Sequence, residues 1–217
     1  LTGTTSCEQW DEHFYQTPNE MAMMGAQYDS YNRLRPKVFV GEFAANKPFG
    51  TGSLRTAVAE SIFMLGFERN ADVVVASAFA PLLSNVHGVQ WNYSLINFDS
   101  SRIFCLPSYH AQLLLSEKRG SYSLTTVLNG EDAVGTLHKS STGEAEVGAW
   151  SASASLMEGT LEGRLLLKFA NYGERARDVN VSLASWMPRV PVTASAKVLT
   201  ATSPDSINSL ANPQAVT

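Results

Sequence analysis

The feature that most constrains the fold is an alternation of strand-like and helix-like segments in the first 119 residues. Apolar or aromatic-rich strands are expected over residues 8–15, 37–44 and 72–83, with helical spacing of apolar residues after each of them. The order is strand, helix, strand, helix, strand, long loop and helix. Such βα units form parallel sheets, because each helix returns the chain to the edge at which the next strand begins.

Each helix of this series has a start signal in the sequence. The segment 17–20, Thr-Pro-Asn-Glu, combines a capping Thr, a Pro suited to the first turn and a Glu that completes a capping box. We expect this helix to run to Arg35, since a proline follows it. Ser53 is expected to cap the second helix, and the third is expected over residues 107–118, after a loop over residues 84–106.

Three parallel strands are compatible with two architectures. They form either a small open sheet or one arc of a barrel, and they cannot close a (β/α)8 barrel by themselves. The open sheet has no support from motifs, because the chain carries neither a dinucleotide-binding fingerprint nor a P-loop.

The chain changes character near Gly120. Of its 21 aromatic residues, 16 precede this point, and the rest of the chain is rich in Ser, Thr, Ala, Val and Gly. We therefore expect a domain boundary between residues 119 and 120. Short alternating runs separated by turn signals are typical of a β-sandwich or jelly-roll. The six expected strands cover residues 121–128, 133–139, 146–156, 162–170, 179–183 and 195–199.

Charge, hydropathy and cysteine content exclude several classes of protein. The net charge of −4 and the lack of Lys or Arg runs argue against nucleic acid as a partner. The longest apolar stretch, residues 73–83, is too short to span a bilayer. Cys7 and Cys105 have no short metal-ligand spacing. Two free, buried thiols are the favoured interpretation, and a single disulfide is the alternative.

Glu42 is the residue most informative about chemistry. It follows the apolar run 38–40 near the carboxyl end of an expected strand, where βα folds collect catalytic groups. A carboxylate held there among apolar neighbours can act as a nucleophile or a base. The pattern equally allows a structural Glu that pairs with an Arg at a barrel rim.

A second candidate group lies on the first expected strand. Alternation places Asp11, His13 and Tyr15 on one face and turns their neighbour Glu12 to the other. A His and a Tyr on one face can orient a carboxylate or a sugar hydroxyl, and a buried structural His is the equally weighted alternative. The histidines lack ligand spacing, so no zinc site is expected. In the long loop, Trp91 offers a flat face to a sugar, although such residues are more often packing anchors.

The motifs around these residues resemble those of a known family. The most specific are Asp-Glu-His-Phe-Tyr at 11–15 and Lys-Val-Phe-Val-Gly-Glu-Phe-Ala-Ala at 37–45. Further motifs in the same order are Gly-Ser-Leu at 52–54, Ala-Pro-Leu at 80–82, Trp-Asn at 91–92, Pro-Ser-Tyr at 107–109 and, more weakly, Asn-Tyr-Gly at 171–173 and Asn-Pro at 212–213. Together they resemble plant-type α-L-arabinofuranosidases of glycoside hydrolase family 51. The chain departs from that pattern at Phe43, where Tyr is commoner, and at a glycosylation sequon that begins at Asn92.

Members of this family are retaining enzymes that join a (β/α)8 barrel to a β-sandwich. The resemblance implies that residues 1–119 are about three C-terminal βα units of the barrel and that residues 120–217 are the sandwich. The implied reaction removes terminal arabinofuranosyl groups from arabinan or arabinoxylan, outside the cell or in the cell wall. Neither a cofactor nor a metal is implied, and the oligomeric state and linkage preference are not readable from the sequence.

The resemblance also assigns roles to individual residues. Glu42 is the expected nucleophile at the end of the seventh barrel strand. His13 and Tyr15 are expected substrate-binding residues at the end of the sixth, and Trp91 is expected near the substrate, in the loop after the eighth.

One expected part of the site is missing. Retaining hydrolysis needs a second carboxyl group as acid/base, which in the family is a Glu that follows an Asn on a strand. Here Asn-Glu occurs at 19–20, inside a helix start. The acid/base is therefore expected upstream of residue 1, and the chain alone is expected to be inactive. The alternative is a non-catalytic carbohydrate-binding or scaffolding protein derived from such an enzyme.

Overall fold

The computed structural model describes residues 7–47, 52–89, 91, 94–129, 134, 137–139, 145–158, 164–183 and 193–217. Strands β1 (Gln9–Tyr15), β2 (Lys37–Ala44) and β3 (Val74–Phe79) lie side by side in that order, and both pairings are parallel. Helix α1 (Pro18–Met23) follows β1, and helix α2 (Leu54–Arg69) joins β2 to β3. The expected βα units are therefore confirmed.

Helix α1 begins where the sequence predicts it but ends earlier. The Thr17 hydroxyl accepts a hydrogen bond from the Glu20 backbone N–H at 3.2 Å, and the Glu20 carboxylate accepts one from the Thr17 N–H at 2.9 Å. The capping box is thus complete. After α1 the chain forms a short 3-10 helix over Met24–Ala26 and then turns, so the prediction of a helix running to Arg35 is wrong.

The early end of this helix has a local cause. The Arg33 guanidinium donates hydrogen bonds to the carbonyl oxygens of Tyr28, Asp29 and Tyr31. A continuing helix would use those carbonyls for its own hydrogen bonds. The 3-10 helix also packs closely on α2, because a Cβ on Gly25 would lie 2.7 Å from a side-chain atom of that helix.

The core lies between this sheet and α2. Five aromatic rings fill it at centroid separations of 4.4 to 6.5 Å, and most neighbouring rings meet edge to face: they belong to Phe14, Tyr28, Phe43, Phe63 and Phe67. Such aromatic pairs add stability beyond the area that they bury. The rings come from β1, the turn after α1, β2 and α2, so they tie these segments together.

Two expectations for residues 72–106 are corrected by the structure. The apolar strand over 72–83 is shorter, and Val75 is half-exposed, because it alternates with the buried Val74 and so faces away from the core. The expected loop over 84–106 contains a small second sheet, whose central strand pairs in parallel with one neighbour and antiparallel with the other. Its strands are β4 (Leu83–Asn85), β5 (Ile96–Phe98) and β6 (Ile103–Cys105), and helix α3 (Pro107–Glu117) follows them.

The C-terminal half is antiparallel β-structure. One sheet has the order β11-β10-β7, and a separate two-stranded ladder joins β8 to β9. The strands are β7 (Tyr122–Leu124), β8 (Leu137–Lys139), β9 (Ala145–Val147), β10 (Trp150–Met157) and β11 (Arg164–Asn171). The strands expected over 179–183 and 195–199 are wrong. Those segments are not paired in a sheet, and the side chains of Val179, Val181 and Val198 are 43%, 48% and 72% exposed.

Helix α2 joins the two halves. The Arg69 guanidinium donates to the Ser151 hydroxyl at 2.7 Å and to the Ala152 carbonyl at 3.0 Å, both on β10. The Lys168 ammonium of β11 pairs with the Glu68 carboxylate. The β-rich half is therefore anchored on the outer face of the helix that backs the parallel sheet.

Two further expectations concern cysteine and the membrane. Cys7 and Cys105 are both free thiols, as the favoured interpretation predicts, but Cys7 is exposed and Cys105 is half-buried. In the described part of the chain, no helix is long and apolar enough to cross a bilayer.

Candidate active site

Three of the residues singled out from the sequence meet at the carboxyl ends of β1 and β2. The Tyr15 hydroxyl donates a hydrogen bond to Glu42 Oε2 at 2.5 Å. His13 Nδ1 lies 3.5 Å from the same oxygen. One carboxylate oxygen is thus contacted by a phenol and an imidazole that both come from the neighbouring strand.

A bulge at Gly41 makes this meeting possible. In the register of β1 with β2, Glu12 pairs with Val40 while His13 pairs with Glu42, so Gly41 is the extra residue. Strict alternation would place Glu42 on the helix-covered face with Val40. The bulge turns Glu42 to the other face, where His13 stands.

Asp11 extends the group by one residue. Its Oδ2 lies 3.1 Å from His13 Nε2, so the imidazole stands between two carboxylates. Its Oδ1 occupies the space above Gly41, where an added Cβ would lie 2.1 Å from it. Sequence alternation already placed Asp11 on the face of His13, but nothing in the pattern assigned it a contact.

Glu12 faces the opposite way, as alternation predicts. Its Oε2 accepts a hydrogen bond from the Tyr28 hydroxyl at 2.6 Å, on the helix-covered side of the sheet. Burial and the neighbouring Glu12 raise the pKa of Tyr28 well above its ordinary value. Glu12 therefore does not supply a second carboxylate to the Glu42 group.

The environment of Tyr15 keeps its phenol protonated. Burial, together with the hydrogen bond to Glu42 and the negative charge of that residue, raises the pKa of Tyr15 to about 12. The phenol is thus a fixed hydrogen-bond donor to the Glu42 carboxylate at neutral pH. A donor in this position orients the carboxylate through Oε2, and Tyr15 does not contact Oε1.

Sequence reasoning missed Glu60, a buried acid behind the site. Its side chain lies on α2, is 2% exposed, and accepts the Ala45 backbone N–H at 2.9 Å, just past the end of β2. Burial raises the pKa of Glu60 to about 7, against the opposing hydrogen bonds from Ser108 and Ala45. The available signal was an acid that interrupts the apolar residues of α2.

Trp91 is not joined to this group in the described part of the chain. Its side chain is 65% exposed, and the structure gives no contact between it and Glu42, His13 or Tyr15. The sequon at Asn92 lies outside the described residues. Among the described residues there is also no group of three or more His, Cys, Asp or Glu side chains arranged to hold a metal ion.

Comparison with known proteins identifies the family. A family model described as the α-L-arabinofuranosidase C-terminal domain matches residues 26–217. This chain belongs to that family. Within the family group, α-L-arabinofuranosidase 1 of Arabidopsis thaliana is 31% identical over 212 residues, which is 96% of this chain and 29% of the relative. An extracellular exo-α-L-arabinofuranosidase of Streptomyces chartreusis is 38% identical over 120 residues, which is 55% of this chain and 14% of the relative.

A solved structure agrees with the family assignment. The arabinose-bound α-L-arabinofuranosidase MgGH51 superposes with a TM-score of 0.77 and 26% identity, over 100% of this chain and 34% of that protein. This likeness confirms the fold class expected for a C-terminal portion of a family 51 α-L-arabinofuranosidase. This member of the family spans about three-tenths of the length of its Arabidopsis relative. The boundary at residues 119 and 120 remains a prediction.

Proposed function

We propose that this chain is the part of a retaining α-L-arabinofuranosidase that carries the catalytic nucleophile, Glu42. The convergence of Tyr15 and His13 on one Glu42 oxygen carries the proposal. A carboxylate at the end of a parallel strand, fixed by a protonated phenol, is oriented for attack on a sugar carbon. The family relatives supply the substrate class, a terminal arabinofuranosyl group.

The proposed reaction has two steps. A Glu42 oxygen attacks the anomeric carbon, and the bond from that carbon to the leaving oxygen breaks as an acid gives this oxygen a proton. Water, deprotonated by the same group, then releases arabinose from Glu42. Tyr15 holds the carboxylate during both steps, and His13 stands at its side.

The acid/base has to come from outside the Glu42 group seen here. Retaining glycosidases keep their two carboxyl groups about 5–5.5 Å apart. Glu12 faces away from the site, and Glu20 forms the capping box of α1 with Thr17. We therefore place the acid/base in a preceding part of the complete gene product. We also place that product outside the cell or in the cell wall, and the name of the Streptomyces relative, an extracellular enzyme, supports the first of these locations.

Trp91 has the role of a sugar platform in this proposal. Its exposed indole lies between β4 and β5, in the segment that follows the third parallel strand. An exposed aromatic ring can stack on the apolar side of a sugar ring. The polymers expected to present that sugar are arabinan and arabinoxylan.

Hydrolysis of 4-nitrophenyl α-L-arabinofuranoside tests the proposal. The complete gene product is expected to release nitrophenol, and Glu42→Gln is expected to lower kcat by about a thousandfold or more. Glu174→Gln, an exposed acid on the β-rich half, is the matched control and should keep the activity. Full activity in Glu42→Gln would contradict the proposal.

Assays of the isolated 217-residue chain distinguish this proposal from a binding role. We expect no nitrophenol release by the isolated chain. Release that is lost in Glu42→Ala would show that an acid/base is present within it. Arabinan binding without turnover, by a stably folded 217-residue chain, would favour the carbohydrate-binding alternative.

A further inference from the structure

Asp11, His13 and Glu42 form a continuous chain of contacts across two strands. Asp11 Oδ2 is 3.1 Å from His13 Nε2, and His13 Nδ1 is 3.5 Å from Glu42 Oε2. Each ring nitrogen of His13 therefore lies near a different carboxylate. The proposed function assigns a role to Glu42 and a place to His13, but it leaves Asp11 without one.

The orientation of the His13 ring depends on what lies at both of its ends. A half-turn about the bond between Cβ and the ring would put carbon atoms where the two nitrogens now stand. An ionised carboxylate only accepts hydrogen bonds, so Asp11 binds the ring when Nε2 carries a proton and faces it. With Nε2 held in that position, Nδ1 necessarily faces Glu42.

Gly41 provides the space that Asp11 needs. An added Cβ at Gly41 would lie 2.1 Å from Asp11 Oδ1 and 3.2 Å from His13 Nε2. A side chain at this position would thus displace the Asp11 carboxylate from the ring. The bulge that turns Glu42 towards His13 has the same residue at its centre.

We propose that Asp11 is a positioning residue that fixes the orientation of the His13 ring beside Glu42, through contacts that the small size of Gly41 permits. The inference rests on the proposed function of the same site, and it adds a residue that acts through His13. Asp11 itself does not contact Glu42.

The ring nitrogens of His13 test the proposal without any need for turnover. In a proton–nitrogen correlation spectrum of the 217-residue chain at one fixed pH, Nε2 of His13 should give the signal of a proton-bearing, hydrogen-bonded nitrogen. Asp11→Ala should move both ring signals towards those of the exposed His87, whereas Asp11→Asn, which keeps an acceptor oxygen, should move them less. Unchanged His13 signals in Asp11→Ala would overturn the proposal.

Two further variants separate positioning from a general effect on folding. Glu12→Ala changes the neighbouring acid, which faces away towards Tyr28, and should leave the His13 signals in place. Gly41→Ala keeps Asp11 in the sequence but displaces its carboxylate, so its His13 spectrum should resemble that of Asp11→Ala. A wild-type spectrum in Gly41→Ala would contradict the claim that Gly41 provides the space.

Kinetics of the complete gene product give the second readout. Asp11→Ala is expected to lower kcat about tenfold with little change in KM, since one charge-assisted hydrogen bond is lost. Asp11→Asn should recover most of that loss, and Glu12→Ala should match the wild type. Equal kcat in Asp11→Ala and Glu12→Ala would count against the proposal. If the gene product hydrolyses no arabinofuranoside, the proposed function fails, and the ring-nitrogen spectra still decide the role of Asp11.

Discussion

The βα half and the β-rich half of this chain differ in how much of the core they supply. Thirteen of the fifteen residues in the main buried cluster of the described chain precede residue 80, and the other two are Ala149 and Tyr172. The β-rich half leaves large apolar side chains such as Phe169 and Val179 about half exposed. The half that carries the candidate site therefore holds most of the packing, and the other half is attached to it through α2.

Removing one aromatic ring from each half gives the strongest test of this difference in packing. Phe63 is fully buried among four aromatic rings, whereas Phe169 on β11 is 48% exposed. Phe63→Ala should lower the free energy of unfolding by about 3–5 kcal/mol, because it leaves a cavity in the core. Phe169→Ala should cost less than about 1 kcal/mol. Equal losses in urea denaturation would show that the two halves share the packing evenly.

The buried acid Glu60 makes the stability of the βα half depend on pH. The pKa of Glu60 is about 7 in the fold, against an ordinary value of 4.5, because burial favours its neutral form. Between these values the folded state holds more protons than the unfolded state, so stability falls as the pH rises. At 1.36 kcal/mol per pH unit, the loss from this group is about 3 kcal/mol.

Unfolding at a series of pH values checks this expectation. Glu60→Gln cannot titrate and should remove the fall in stability between pH 4.5 and 7. Glu174→Gln, an exposed acid in the β-rich half, should leave that fall unchanged. The same slope in Glu60→Gln and in the wild type would assign the effect to other groups.

The attachment of the two halves is tested at Arg69. Its side chain is 6% exposed and donates to Ser151, Ala152 and Gly25. Arg69→Met leaves those acceptors without a donor and should cost about 2–3 kcal/mol. Arg102→Met removes a pair between a 61% exposed side chain and Asp99, whose carboxylate keeps its hydrogen bonds from Ser101, and should cost less than about 1 kcal/mol. Hydrogen exchange should also quicken along β10 in Arg69→Met, and unchanged β10 protection would contradict the proposed anchoring.

The smallest expected effect on stability comes from removing a helix cap, and a loop hydrogen bond in the other half provides the comparison. Thr17→Ala removes the side-chain half of the capping box and should cost about 1 kcal/mol. Thr126→Ala removes a hydroxyl that bonds only to the nearby Leu124 carbonyl, in the β-rich half, and should cost less than about 0.5 kcal/mol. Thermal unfolding of both variants measures the difference. A loss of stability in Thr126→Ala as large as that in Thr17→Ala would contradict the expected difference.

The same contrast explains what the sequence could predict about the fold. Signals that act within a few residues, such as the capping box at Thr17 and the apolar run of β2, predicted their elements correctly. The strands expected over 179–183 and 195–199 depended on partners distant in sequence, and alternation alone does not supply them. The end of α1 was missed because it depends on Arg33, whose contacts with carbonyl oxygens no periodicity reveals.

The residues of the candidate group, Glu42, His13 and Tyr15, could be predicted from the sequence, but the geometry that joins them could not. Alternation placed His13 and Tyr15 on one face, and the run before Glu42 placed that carboxylate at the end of the next strand. Alternation without the bulge would have turned Glu42 to the wrong face. The extra residue at Gly41 is a feature of backbone register, which depends on pairing between strands.

Covalent trapping tests most directly whether Glu42 is the nucleophile. The complete gene product would be incubated with an activated arabinofuranoside that carries fluorine at C2, which slows release of the sugar from the enzyme. Mass spectrometry of its peptides is expected to find one arabinosyl-type adduct, and to place it on Glu42 in the segment Lys37–Ala44. An adduct on a different carboxylate, or full turnover by Glu42→Gln, would contradict the account.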